Sequence, residues 1–432
     1  MSVIWLHSGH GQAPEPVRRA AGTGRVTILP QAELTEAALM AHRGLITGML
    51  FDQDAMMPLR PALARFLDAG GRWVFNGHLV RPLVEGLHPY RPIPAPRRAD
   101  FDLTRQVAHP IFAGFDLKEL EANNGVAGFY GRGSNPPPAR AVVLNTLGEG
   151  GAVDWVWHRP SGGAIFSHAG NDLAQIATMH GIGARVWANL IDWADGGPCI
   201  PPDAPRITQA PAPGRFSEPV AARASEGAPR LIAVNAGTYY HIQSLEGPRY
   251  RDVFDLAIAP ERIGSTLTPD DVLFVTCRTP PQRMIAQHAH LAAHLAAGGT
   301  IVAMGESRSD LWLPQVAFTP TDTNWWWWLT PGADLGVRRT GEHPLLDGLS
   351  DADVTWHMHG HFDPPAGAQV LVRDGEGRAI AYEDRLDTRG RMIVTSLDPC
   401  YHHGSHFMPA TTRFLDRFLP NLRRVIASEV RA

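Results

Sequence analysis

"LARFLDAGGRWVFNGHL" (Leu63–Leu79) recurs in diverged form as "LAAHLAAGGTIVAMGES" (Leu291–Ser307), about 228 residues further along the chain. Each copy reads in the same way. Apolar residues at helical spacing come first, Gly-Gly stops the helix, and a short apolar run follows as a buried strand. Strand, helix, Gly-Gly, strand is the pattern of an α/β unit with parallel strands joined by right-handed crossovers.

Four more pairs of blocks keep the same order at nearly the same offset. "VIWL" (Val3–Leu6) pairs with "LIAV" (Leu231–Val234), and "GLITGM" (Gly44–Met49) with "LFVTCR" (Leu273–Arg278). "HPIFAGF" (His109–Phe115) pairs with "HPLLDGL" (His343–Leu349), and "GGAIFSHAGND" (Gly162–Asp172) with "RGRMIVTSLDP" (Arg389–Pro399). A run of matched blocks is the mark of an internal duplication. The expected architecture is α/β: two tandem flavodoxin-like, doubly wound parallel-sheet domains over residues 1–196 and 229–432. A Pro-rich, poorly periodic linker over 197–228 separates them.

The composition narrows the function classes. The chain has 432 residues, 44% of them apolar and 19% charged, as in globular proteins. A net charge of -4 supplies no basic field for nucleic acid or an anionic membrane. Lys118 is the lone lysine, so the many arginines reflect coding preference rather than phosphate recognition. Cys199, Cys277 and Cys400 are odd in number and far apart, which argues against a disulfide framework or a Cys-only zinc site. There is no apolar run of membrane-spanning length. The "MSVIWLHSGHG" start reads as a first strand rather than a signal peptide, so a bacterial cytoplasm is the expected location. No Walker motif or dinucleotide-binding glycine fingerprint follows a first strand, and no nucleotide cofactor is expected.

The order of these blocks resembles the class I glutamine amidotransferase-like superfamily, in particular its trehalose-utilisation (ThuA-like) branch. That resemblance covers most of both halves. It implies a Cys nucleophile on the sharp turn after the "AGG" strand, beside an oxyanion hole and a histidine base. Here the turn reads "VFNGHLV" (Val74–Val80) and "VAMGESR" (Val302–Arg308), with no cysteine, so glutaminase chemistry is not expected. Glu306 stands at the reactive position instead and is an acid/base candidate.

In open α/β sheets, ligands bind beyond the carboxyl ends of the strands. The loops expected there carry their histidines mainly in the second half. "TWHMHGHFDP" (Thr355–Pro364) sets His357, His359 and His361 at alternate positions, and "DPCYHHGSH" (Asp398–His406) adds His402, His403 and His406. On a strand the alternate histidines would face one side and could hold a zinc-like divalent ion. His402, His403 or His406 would complete the site, with Asp363 or Asp398 as carboxylate. A metal-free polar cleft, or a cluster without a role, would look the same in sequence. The metal candidates are His357, His359, His361, His402 and His406; the catalytic candidates are Glu306, His359 and His403.

Tyr240, Arg278 and Arg308 lie on neighbouring strand-end loops and are substrate-binding candidates. So are Trp326 and Trp327, from the run Trp325–Trp328, whose four rings cannot all be buried. Such exposed rings suit sugar stacking or a homo-oligomer interface. The expected function is a hydrolase or lyase on a small polar, sugar-derived substrate; the alternative is a non-catalytic carbohydrate- or protein-binding module. No nucleic-acid or membrane partner is expected.

Overall fold

The computed structural model describes residues 3–179, 181–198, 203–212, 214–222, 229–323, 325–385 and 390–429. The chain divides into two compact units, residues 1–217 with 237–239, and residues 218–236 with 240–432. Much of the expected linker, Cys199 included, lies outside the described residues.

The first unit is built on strands β1 (Val3–His7), β2 (Val26–Pro30), β3 (Gly44–Thr47), β4 (Arg72–Asn76), β5 (Leu103–Arg105), β6 (Val142–Leu147), β7 (Gly151–His158) and β8 (Ala164–His168). They lie side by side in the order β2-β1-β3-β4-β8-β7-β6-β5. The first five are mutually parallel, and the last three are added antiparallel.

The second unit uses β9 (Leu231–Val234), β10 (Leu256–Ile258), β11 (Val272–Val275), β12 (Thr300–Ala303), β13 (Phe318–Pro320), β14 (Gly360–Phe362), β15 (Gln369–Arg373), β16 (Ala379–Arg385) and β17 (Arg391–Thr395). Their order repeats the first unit's: β10-β9-β11-β12-β17-β16-β14-β13, with β15 also paired to β16. The class is thus α/β, but with mixed sheets rather than wholly parallel ones. The cause is local. "NTLGEGG" and "RDGEGR" are tight hairpins joining β6 to β7 and β15 to β16, and a hairpin makes its strands antiparallel.

Both faces of each sheet are covered, because alternate strand residues enter different cores. Val3 and Trp5 pack on one side of β1 and Ile4 and Leu6 on the other. Leu231 and Ala233 are likewise separated from Ile232 and Val234. The duplicated helix–Gly-Gly device is mechanical. Gly70 and Gly298 take left-handed φ values of 93° and 100°. A Cβ on Gly71 would meet the Phe66 ring at 2.5 Å, and one on Gly299 the His294 ring at 2.2 Å. The His-Pro turns are also one device: His109 Nδ1 accepts from Ile111 N–H (3.3 Å) and His343 Nδ1 from Leu345 N–H (3.2 Å). Among the described residues, no helix is long and apolar enough to cross a membrane.

Candidate functional site

Three parallel strands of the second unit end in loops that deliver Arg278 after β11, Glu306 after β12 and Asp398 after β17. The loop backbones interlock: Arg278 N–H donates to Gly305 O (3.0 Å) and Gly305 N–H to Leu397 O (2.8 Å). A Cβ on Gly305 would lie 2.4 Å from Ser396 O, so only glycine fits this crossing. Arg278, Glu306 and Arg308 are left-handed, with φ of 58°, 56° and 49°. This conformation costs a side-chain-bearing residue about 1–2 kcal/mol and aims the Arg278 and Glu306 side chains across the strand ends.

Asp398, with no solvent exposure, is the hub. Its Oδ2 accepts from Arg278 Nη2 (2.9 Å) and lies 3.2 Å from His359 Nε2. Arg278 Nε also reaches Glu306 Oε2 (2.6 Å), and His359 Nδ1 lies 2.9 Å from Glu306 Oε1. The other carboxylate oxygen, Oδ1, faces His402 Nε2 at 3.3 Å and His357 Nε2 at 3.7 Å, and the two imidazole nitrogens are 2.7 Å apart. The Tyr401 ring lies under the Arg278 guanidinium at 3.4 Å, and Tyr240 backs Tyr401 edge-on at 5.1 Å. Trp325 caps the cluster, its ring centre 4.1 Å from that of His357 and 5.5 Å from that of His359. Glu306 (25%), Trp325 (40%) and the half-buried Tyr401 give it contact with solvent.

Burial raises a carboxyl, but Arg278 and His359 override it and hold Glu306 down to about 2. Asp398 is held well below the carboxylate range against the same burial, by His402, His359 and Arg278. Burial lowers an imidazole, yet the pull of Asp398 and Glu306 lifts His359 to about 9. For His357 burial wins, with the nearby His402 adding to it, and its value falls well below the ordinary one. Burial likewise lowers His402, although Asp398 opposes it.

The structure therefore gathers Glu306, His357, His359, His402, Arg278 and Tyr240, and leaves other candidates aside. The three alternate histidines do not share a strand face. β14 begins only at Gly360, where a Cβ would lie 2.4 Å from both Phe318 Cζ and Thr319 O. His357 and His359 thus sit in the preceding turn, while His361 pairs with Thr319 at the sheet edge, away from the converging groups. Asp363 is exposed.

His403 follows His402 on the short helix Pro399–Gly404 and so points about 100° away. Its Nδ1 meets Thr412 Oγ1 at 2.9 Å and its ring packs on Tyr250, which sets this catalytic candidate apart from the groups around Asp398. His406 lies beyond the helix, exposed, and is not among the converging groups. Arg308 is taken up by Asp310 (2.8 Å), and Trp327 lines a surface concavity with Arg338, Asp351 and Thr355. Trp326 is half-buried. The ring over the histidines is Trp325, and neither it nor Tyr401 could be singled out from spacing.

Cys277 and Cys400 are buried free thiols. Cys277 Sγ accepts from Tyr401 N–H (3.1 Å), and burial with Cys400 alongside pushes its ionisation up, which suits packing rather than nucleophilic attack. At a matching strand end, the first unit holds His168 Nδ1 2.7 Å from Asp154 Oδ1. Both are at zero exposure, and Asp154 is further bound by Tyr130 and Asn145.

No family model and no curated protein matches the chain. Among solved structures, it is similar over 46% of its length to the exo-β-1,4-mannosidase Op5Man5 from Opitutaceae bacterium strain TAV5, at TM-score 0.29 and 10% identity. Over 46% it is also similar to the β-galactosidase from Bacillus circulans sp. alkalophilus, at TM-score 0.26 and 13% identity. The matched regions are 36% and 31% of those enzymes, so the chain spans about a third of each.

Proposed function

We propose that the chain is a tandem protein of the class I glutamine amidotransferase-like, trehalose-utilisation type, with flavodoxin-like units and no thiol chemistry. On this reading its second unit is a cytoplasmic hydrolase of a small polar, sugar-derived substrate. The observation that carries the reading is the convergence of Arg278, Glu306, His357, His359 and His402 on the buried Asp398 at the carboxyl ends of parallel strands. The left-handed Glu306 supports it, since the turn after the "AGG" strand is where that superfamily mounts its reactive group.

Glu306 and His359 form a carboxylate–imidazolium pair at the solvent-facing side, in which the charged imidazole can give its proton to a leaving group while the Glu306 carboxylate orients a water by accepting its hydrogen bond. Arg278 fixes both carboxylates from behind. Trp325 offers an apolar face to a sugar ring at the mouth. The exposure of Trp325, Trp328 and Leu329 favours one other reading, a carbohydrate- or protein-binding surface without turnover.

The test incubates the full chain with a panel of sugar esters, lactones and glycosides and follows products by mass spectrometry. Hydrolysis that disappears in folded Glu306→Gln and His359→Asn variants is expected. Carbohydrate binding without turnover, lost in Trp325→Ala, would replace the enzyme by the binding module.

A further inference from the structure

We propose that His357 Nε2, Asp398 Oδ1 and His402 Nε2 form a binding site for one divalent ion of the zinc class. The inference deepens the hydrolase reading and rests on its site, but it is tested by a separate measurement. The three atoms form a triangle with sides of 2.7, 3.3 and 3.7 Å. Ligands about 2.05 Å from a tetrahedral zinc lie about 3.3 Å apart. Parting the two imidazole nitrogens by about 0.6 Å and drawing His357 Nε2 about 0.4 Å toward Asp398 Oδ1 therefore gives a coordinating triangle.

The polar accounting points the same way. His357, Asp398 and His402 are each more than nine-tenths buried, and Asp398 Oδ1 has no hydrogen-bond donor. One proton shared between the two Nε2 atoms satisfies that pair and leaves Oδ1 orphaned, at a cost of about 1–3 kcal/mol. A single cation satisfies all three atoms.

The surroundings are those of a prepared ligand set. Asp398 Oδ2 is fixed by Arg278 and His359, which sets the direction in which Oδ1 points. Trp325 covers the histidines with an apolar ring. Two imidazoles and one carboxylate favour zinc or its neighbours over magnesium or calcium, which take oxygen ligands. Three protein ligands also leave a position for water or substrate, as in hydrolytic rather than structural sites. His361 and His406, though part of the same histidine-rich segments, lie outside the triangle.

The experiment uses the untagged full chain, stripped with chelator and titrated with Co²⁺ and then Zn²⁺. One Co²⁺ per chain with a visible d–d band, displaced by one Zn²⁺, is expected. Affinity should fall by at least about 100-fold in His357→Ala and His402→Ala and stay unchanged in His361→Ala and His406→Ala. If an alanine variant fails to fold by circular dichroism, His357→Gln and His402→Asn replace it. The absence of stoichiometric binding, or binding undiminished by the His357 and His402 changes, overturns the site. Glu306→Gln should keep its metal, so lost turnover with retained metal separates the two readings. Turnover without metal would remove the ion and leave the hydrolase.

Discussion

Arg278 Nη2 and Nε both donate to Asp398 Oδ2, at 2.9 and 3.1 Å, while Nε also lies 2.6 Å from Glu306 Oε2, so one buried guanidinium bridges two carboxylates whose second counter-charge is His359. Removing it would leave the two carboxylates sharing the charge of His359, and breaking a buried pair in this way costs about 3–5 kcal/mol. Arg278→Ala is therefore expected to lower the urea midpoint sharply with little change in slope. Arg278→Lys keeps the charge but loses the fork and the contact with Tyr401, and should still cost roughly 1–3 kcal/mol. A lysine variant as stable as the parent would show that the fork carries nothing.

Glu383 on β16 is tied to Arg391 on β17 (2.8 Å) and to the turn residue His343 (3.1 Å). Burial would raise its carboxyl, but His343 and Arg391 hold it down to about 2. A depressed acid adds stability above its unfolded value near 4.5, and that stability is lost as pH falls toward 2. Glu383→Gln should cost roughly 1.5–3 kcal/mol at neutral pH and flatten the acid limb of stability between about pH 4.5 and 2. Parallel curves for variant and parent across that window would refute the coupling.

Asp172 gives the opposite sign. Burial raises it to about 6, although backbone N–H groups of Met49 and Ala174 stabilise its charged form. A raised acid contributes stability that is complete below about pH 4 and is lost as pH climbs through 6. In Asp172→Asn this fall should vanish, so the stability difference between variant and parent should shift by about 3 kcal/mol in the variant's favour from pH 4 to pH 7. A difference that stays constant with pH would show that Asp172 is ionised at its ordinary value.

Trp325 is 40% exposed, so Trp325→Ala should cost no more than about 1 kcal/mol of stability. If its ring stacks the substrate, KM should rise about 2- to 10-fold while kcat holds. A fall in kcat at constant KM would mean that the ring positions the histidines instead.

How much of this was legible in the chain depended on whether a residue type has a single mechanical job. Gly-Gly after a helix and His-Pro before a 3-10 turn each do one thing, so both were readable twice over, and with them the duplication. The glycine-rich turns "NTLGEGG" and "RDGEGR" are readable for the same reason, and the antiparallel pairs they join are what make the sheets mixed. Side-chain direction in short turns has no such code. Four adjacent tryptophans gave no means of choosing Trp325 over Trp326 or Trp327. His402 and His403 separate only once the helix starting at Pro399 is known, because His402 is one turn from Asp398 and His403 is not.

The alternate histidines make the same point in testable form. Period-2 spacing groups His357, His359 and His361, but the strand begins at Gly360, whose missing Cβ lets the chain cross Phe318 and Thr319. The crossing turns His357 and His359 toward Asp398 and leaves His361 at the edge. Gly360→Ala puts a methyl 2.4 Å from a ring carbon and from a backbone oxygen, and the oxygen cannot swing aside. It should cost about 1–3 kcal/mol and weaken Co²⁺ binding, because the histidine turn must shift to relieve the contact. His361→Ala, one residue away, should do neither. Equal effects from the two changes, read by urea unfolding and by the cobalt titration, would mean that the segment acts as a continuous strand after all.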